Sequence, residues 1–128
     1  VGNPSNFQRM LDLYGKDHKK METDIHAYFF SDDQTRICMK ELLEKYNYTA
    51  DPHGAVGFLA CREYSEEYKD ATLINLETAH PSKFLAIMKN VKIAIDIPER
   101  LEVLRSKEKR ALQMTPSFSS FKDYLLNR

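Results

Sequence analysis

Apolar residues recur at helical spacing along most of the chain. The first run is expected to start at Asn3, as a cap, and Pro4, and Gly15 ends it; its apolar face consists of Phe7, Met10, Leu11 and Tyr14. The same period, with capping residues and prolines at the starts, predicts further helices. They are expected to begin near Asp17, Asp33, Asp51, Pro81, Pro98 and Ser117.

The spacing assigns an apolar stripe to three of these helices. The helix over residues 33–46 should bury one stripe, and the helix that begins at Asp51-Pro52 should bury another. The first stripe is predicted to be Ile37, Cys38, Leu42 and Tyr46. The second is predicted to be Ala55, Val56, Leu59, Ala60 and Tyr64. The helix after Pro98 is expected to carry its stripe through Leu101, Leu104, Glu108 and Leu112.

Two segments have the pattern of strands. Residues 72–76 (TLINL) form a short apolar run between polar residues, and residues 91–97 alternate every second position. A lone strand leaves its backbone groups unpaired, so residues 72–76 need residues 91–97, a second copy or further sequence as a partner. The predicted class is therefore α/β, mostly helical, with about seven helices and one or two strands.

Composition narrows the possible partners. The 128 residues amount to one domain with a formal net charge of +0, so neither a nucleic acid nor a membrane is indicated as a partner. Cys38 and Cys61 fall on apolar faces and are expected to be reduced thiols, which suits a cytoplasmic protein. The chain opens on Val1 and runs directly into Gly2-Asn3-Pro4-Ser5, from which we expect a piece of a longer protein.

Two clusters combine a histidine with a proline at a helix start, DPHGAVG and TAHPSKF. Helix N-termini present free N–H groups and suit anions. Thr78 either contacts a ligand or satisfies backbone groups before the helix. Gly54 and Gly57 serve either close packing or the approach of backbone or ligand.

Other chemistry is poorly supported by the sequence. His53 and His80 with the two cysteines match no zinc-site spacing, so no metal site is predicted. Lys83 lies in a first helical turn, where a solvated or paired cation is the simpler interpretation than a catalytic amine.

Three segments resemble motifs of bacterial threonine synthases in order and spacing. VGNPSNFQRMLDLYG resembles their GNPSNF-type segment, ADPHGAVG their DPHTAVG segment, and ETAHPSKF their TAHPAKF segment. The resemblance extends to the end of the chain, FKDYLLNR. Three positions depart from these patterns: Gly54 replaces threonine, Ser82 replaces alanine, and Glu77 replaces a small residue.

The resemblance implies a pyridoxal-phosphate enzyme of the tryptophan-synthase-like fold type II. Such enzymes convert O-phosphohomoserine and water to threonine and phosphate. Residues 1–128 would be part of the large cofactor domain plus a helical tail. Thr78 matches the residue whose hydroxyl faces the pyridine nitrogen, and a neutral hydroxyl leaves that nitrogen largely unprotonated. His53, Asn3 and Ser5 are weaker candidates for lining the active-site cleft.

The resemblance also indicates what this chain lacks. The family's Schiff-base lysine and its glycine-rich phosphate loop belong to the N-terminal half, and no lysine here matches the former. We therefore expect no catalytic residue, no bound cofactor and no activity in this chain alone. Its unpartnered apolar surface should cause self-association. The alternative is an independent helical interaction module that derives from the same family without its chemistry.

Overall fold

The computed structural model describes residues 6–127, and this part of the chain is mostly helical. Its α-helices are α1 (Phe7–Leu13), α2 (His18–Asp24), α3 (Asp32–Tyr46), α4 (Pro52–Glu67), α5 (Leu85–Asn90), α6 (Glu99–Arg105) and α7 (Phe118–Leu126). A short 3-10 helix, Pro81–Phe84, precedes α5. The described residues form two compact units, 6–95 and 96–127. No helix of this part is both long and apolar enough to cross a membrane.

The ends of α1 and α2 follow local sequence signals. Gly15 takes a left-handed conformation, with φ of +59°, and so confirms the predicted stop of α1. Asp17 caps α2 by accepting hydrogen bonds from the N–H groups of Lys19 and Lys20. The predicted start of α1 at Asn3 and Pro4 lies outside the described residues.

Helix α3 is closed at both ends by its own sequence. Ser31 and Gln34 form a reciprocal capping box at its start. Asn47 ends it in the left-handed region, with φ of 51°, and the Asn47 and Tyr48 N–H groups donate to Leu43 and Leu42 carbonyls. The chain turns back immediately, and α4 begins at Pro52. This short connection lays α4 against α3.

The core of residues 6–95 lies where α3, α4 and α5 meet. Met39 and Ala55 are fully buried at the contact between α3 and α4, and Met88 of α5 packs against them. The buried apolar cluster consists of Cys38, Met39, Leu42, Ala50, Ala55, Leu59, Met88, Val91 and Ile93. The predicted face of α4 is confirmed, since Ala55 and Leu59 are buried and the other members are partly buried.

The predicted stripe of α3 is half wrong. Cys38 and Leu42 are buried, but Ile37 and Tyr46 are 66% and 61% exposed. The buried face runs instead through Thr35, Cys38, Met39 and Leu42. Thr35 was overlooked because it is polar, yet its hydroxyl donates to the Ser31 carbonyl, which leaves its methyl group free to pack.

The mostly helical character that the sequence predicts is confirmed, whereas no β-strand occurs within residues 6–127, so the one or two predicted strands are not confirmed. Residues 72–76 form no backbone–backbone hydrogen bond with another segment of this part. Ile74 and Leu76 are 78% and 76% exposed, so no part of residues 6–127 covers these two side chains. The segment is attached through side chains to α4 instead of through a ladder.

Residues 91–95 keep the predicted alternation without forming a strand. Val91 and Ile93 are buried and Ile95 is partly buried, whereas Lys92 and Ala94 are exposed. Ile93 donates to the Met88 carbonyl, and Lys92 takes φ of 60°, so the segment closes α5 and does not extend a sheet. The two-residue alternation therefore reflects burial of one side of this segment and not strand pairing within the described residues.

Residues 96–127 carry α6 and α7. Ser117 caps α7 as predicted, through the N–H of Ser120. Helix α6 ends at Arg105, so the predicted stripe through Glu108 and Leu112 is wrong. Neither helix buries a residue within the described chain. Tertiary packing therefore does not stabilise further turns of α6 through the charged residues that follow Arg105.

The contact between α3 and α4 predicts a large stability effect at Met39. We expect Met39→Ala to lower the free energy of unfolding by about 3 kcal/mol, because the fully buried side chain leaves a cavity. Lys40→Ala is the matched control on the exposed side of α3, with a change within about 0.5 kcal/mol. Urea unfolding followed by circular dichroism measures both, and equal effects of the two variants would contradict this core.

Candidate functional site

The start of α4 is built around Asp51. Its carboxylate is fully buried, and Oδ1 accepts hydrogen bonds from the N–H groups of His53 at 2.6 Å and Gly54 at 3.2 Å. Pro52 occupies the first helical turn, where its missing N–H costs nothing. The predicted cap and helix start are therefore confirmed, and the cap is a buried one.

Residues 75–77 are attached to this helix start through two side chains. The Asp51 N–H donates to Oε1 of Glu77 at 2.9 Å, and Nδ2 of Asn75 donates to the Gly54 carbonyl at 2.9 Å. The two motif segments, DPHGAVG and ETAHPSKF, therefore meet in space. Sequence reasoning did not identify Asn75 or Glu77 as the residues that join them.

Gly54 and Gly57 make this approach possible. A Cβ atom at Gly54 would collide with the carboxylate of Glu77, and one at Gly57 would collide with Oδ1 of Asn75. Of the two uses open to these glycines, the structure shows close packing. The i, i+3 spacing of the glycines was the signal in the sequence that a segment lies on this face of α4.

His53 belongs to the same surface. Its Nδ1 lies 3.2 Å from Oδ1 of Asp51, and its ring meets that of Phe84 at a centroid distance of 5.1 Å. Nζ of Lys83 lies 5.8 Å from the centroid of the Phe84 ring. The histidine of one motif and the phenylalanine and lysine of the other are thus neighbours, and the His53 side chain is 64% exposed.

Thr78 lies between Glu77 and His80, two residues that hydrogen bonds hold in place. Glu77 precedes it, and His80 caps the 3-10 helix by accepting from the Ser82 N–H at 3.2 Å, with Pro81 buried next to it. The capping role considered for Thr78 is therefore taken by His80. Thr78 is exposed, and its hydroxyl makes no hydrogen bond within residues 6–127. The other two lining candidates, Asn3 and Ser5, lie outside the described residues.

The N-terminus of α4, which the sequence suggests as an anion site, carries two acidic side chains of the protein itself. The carboxylates of Asp51 and Glu77 both lie at the N-terminus of α4, where the helix dipole favours them. Burial raises the pKa of the nearby Tyr48 hydroxyl, and the charges of Glu77 and Asp51 raise it further. The protein's own side chains therefore fill the anion site at this helix start.

One oxygen of Asp51 is left over. Oδ2 is buried and accepts no hydrogen bond from the described residues. An unsatisfied buried acceptor costs about 1–3 kcal/mol, and a charged one costs more. A water molecule or a donor from outside the described residues would relieve this cost.

The described residues do not gather a metal site. No group of three or more histidine, cysteine, aspartate or glutamate residues with suitable geometry occurs between residues 6 and 127. Cys38 is buried and lies 3.5 Å from the Ala55 carbonyl, and burial raises the pKa of its thiol. Cys38 therefore packs as a neutral core residue.

The buried cap predicts a graded response to substitution of Asp51. Asp51→Ala removes the acceptor of two N–H groups and should lower the free energy of unfolding by about 2 kcal/mol. Asp51→Asn keeps an acceptor oxygen and should cost less. In urea titrations, Asp17→Ala, at the exposed cap of α2, is the control with a cost of about 0.5–1 kcal/mol. NMR spectra should show amide shifts over residues 75–77 for Asp51→Ala and not for Asp17→Ala; unmoved amides in both would contradict the attachment.

Comparison with known proteins agrees with the motifs at this site. A family model described as "Threonine synthase, C-terminal" matches residues 54–125. Threonine synthase of Buchnera aphidicola is 28% identical over 100% of this chain and 29% of its own length. That of Serratia marcescens is 32% identical over 66% of this chain and 19% of its own length. That of Escherichia coli is 25% identical over 99% of this chain and 29% of its own length.

The chain spans less than a third of the length of these curated relatives. No solved structure matches it significantly. The family match covers more than half of the chain and includes α4 from Gly54 onward, both site glycines and the segment through Thr78. This chain belongs to the threonine synthase C-terminal family.

Proposed function

We propose that this chain is the C-terminal part of a threonine synthase that converts O-phosphohomoserine and water to threonine and phosphate with pyridoxal phosphate. The observation that carries the proposal is the match of residues 54–125 to the family, together with the contact between its two motif segments at α4. The substrate and the reaction are those that the resemblance implies. The relatives are longer, so the remaining parts of the active site would come from further sequence.

The chemistry of Thr78 fits one side of such a cofactor site. Its hydroxyl is exposed, is uncommitted within the described residues, and follows a residue that is fixed to α4. A hydroxyl can hydrogen-bond to a pyridine nitrogen without keeping it protonated, whereas a carboxylate would favour the protonated form. The adjacent carboxylate of Glu77 is engaged with the Asp51 N–H, which leaves the nitrogen to Thr78.

The bound cofactor supplies the electron withdrawal that lets a substrate carbon lose a proton. In this proposal Thr78 limits that withdrawal by holding a neutral ring nitrogen. His53 stays a candidate for lining the cleft, because its exposed ring stands beside Asp51 and Phe84. Asn3 and Ser5 stay candidates on the resemblance alone.

The same proposal assigns residues 72–76 a place in the longer protein. Their backbone groups lack a backbone partner within residues 6–127, and Ile74 and Leu76 are exposed. In a tryptophan-synthase-like fold type II, this run would join a sheet that the rest of the polypeptide builds. The two free cysteines suit a reducing compartment, and we place the enzyme in the cytoplasm.

Reconstitution tests the role of Thr78. This chain alone should show no visible absorbance of lysine-bound pyridoxal phosphate and no activity, and co-expression with the upstream part of its polypeptide should restore both. In that assembly, Thr78→Ala should lower the rate at least tenfold, equivalent to about 1.4 kcal/mol or more. Thr78→Asp should shift the cofactor absorbance, because it favours the protonated nitrogen.

Thr23→Ala is the matched control, an exposed threonine on α2 that should change neither quantity. If Thr78→Ala and Thr78→Asp both leave the absorbance and the rate unchanged, the role of Thr78 is wrong. Threonine synthase activity in this chain alone would contradict the division of the active site.

Exposed apolar side chains predict self-association of the isolated chain. Phe29 is 94% exposed, and Ile74 and Leu76 are largely exposed on the unpaired segment. We expect sedimentation to report a concentration-dependent mass, which Ile74→Ser with Leu76→Ser reduces. Lys69→Ser with Asp70→Ser, two exposed polar residues nearby in sequence, is the control. A strictly monomeric chain at millimolar concentration would contradict the expectation.

A further inference from the structure

The two glycines in the first turns of α4 each receive a side chain from residues 75–77. The carboxylate of Glu77 stands where a side chain at Gly54 would begin, and the amide of Asn75 stands in the corresponding place at Gly57. We name these two approaches the glycine contact (Gly54–Glu77 and Gly57–Asn75). Both approaches lie on one face of α4, since the glycines are three residues apart.

The Glu77 side of the glycine contact is fixed in direction. Oε1 accepts from the Asp51 N–H at 2.9 Å, so the carboxylate cannot leave Gly54 without breaking that bond. The position also favours the negative charge, because it lies at the positive end of the α4 dipole. A hydrogen bond to a charged group contributes more to stability than one between neutral groups. This bond therefore fixes the backbone position from which Thr78 follows.

The Asn75 side provides a second fixed point. Nδ2 donates to the Gly54 carbonyl at 2.9 Å while Oδ1 lies over Gly57. Two attachments two residues apart fix both the position and the direction of the backbone that leads to Thr78. Since α4 is held in turn by the buried Ala55 and Leu59, the segment is fixed relative to the core.

The sequence departures noted above fall on this contact. The motifs that the chain resembles have threonine where this chain has Gly54, and a small residue where it has Glu77. In the structure these two positions touch each other.

We infer that Glu77 is a positioning residue for Thr78 and that Gly54 is the residue that permits it. The inference rests on the proposed role of Thr78 at the pyridine nitrogen. Glu77 does not touch the cofactor or the substrate in this account. It acts by holding the backbone of residues 75–77 on α4, which places the Thr78 hydroxyl.

A double-mutant cycle on the 128-residue chain tests the contact itself. Glu77→Ala should lower the folding equilibrium constant about tenfold, because the Asp51 N–H loses its acceptor. Gly54→Ala should also lower it about tenfold, because the new methyl group displaces the carboxylate. The double variant should be no less stable than Glu77→Ala alone, since the methyl group then meets no carboxylate.

Two results would overturn the contact. One is additivity, in which the folding equilibrium constant of the double variant falls about a hundredfold. The other is a stabilising effect of Gly54→Ala alone, as helix propensity by itself would give. Glu63→Ala, an exposed glutamate on α4, is the control that should change the equilibrium less than twofold.

Kinetics of the reconstituted enzyme test positioning. Glu77→Ala should lower kcat about tenfold with KM for O-phosphohomoserine changed less than twofold, and it should shift the cofactor absorbance. Glu77→Gln keeps an acceptor oxygen and should restore most of kcat. Thr78→Ala in the Glu77→Ala background should add less than it does alone, because a displaced hydroxyl has little left to lose.

The outcomes separate the two proposals. If Thr78→Ala lowers kcat and Glu77→Ala does not, the positioning role fails while the role of Thr78 stands. If Thr78→Ala leaves rate and absorbance unchanged, the role of Thr78 fails whatever the stability cycle shows. An equal loss with Glu77→Gln and Glu77→Ala would also overturn positioning through the hydrogen bond.

Discussion

The buried carboxylate of Asp51 is the interaction on which the rest of the site depends. Its Oδ1 accepts hydrogen bonds from two N–H groups at the start of α4, and the backbone N–H of Asp51 donates to the carboxylate of Glu77. A single residue therefore begins a helix and attaches a distant segment to it. The cap can do this because Asp51 is fully buried, which removes competing water.

Within residues 6–127 the attached segment gains its order from this helix, through side chains. Residues 75–77 have side-chain bonds to α4 where a strand would have backbone bonds to a neighbour. Two glycines remove the side chains that would hold the segment away. The result is an exposed threonine between two fixed points, with its hydroxyl uncommitted in the described chain, which is what a ligand contact requires.

Local signals predicted the helices well because capping is a short-range property. Asp17, Asp51 and Ser117 cap the helices for which they were chosen, and Gly15 ends the first. The sequence predicts less well those features that depend on burial against distant residues. Thr35 packs inward in place of Ile37, and residues 72–76 have no strand partner within residues 6–127. The roles of Asn75 and Glu77 depend on a contact across more than twenty residues, which helical periodicity does not encode.

The central claim is that Thr78 meets the pyridine nitrogen of pyridoxal phosphate in the complete enzyme. The most direct measurement is the 15N chemical shift of that nitrogen, with labelled cofactor, in the reconstituted enzyme. The account predicts an unprotonated, hydrogen-bonded nitrogen with the native chain, a changed shift with Thr78→Ala, and a protonated nitrogen with Thr78→Asp. The same shift in all three proteins would contradict it.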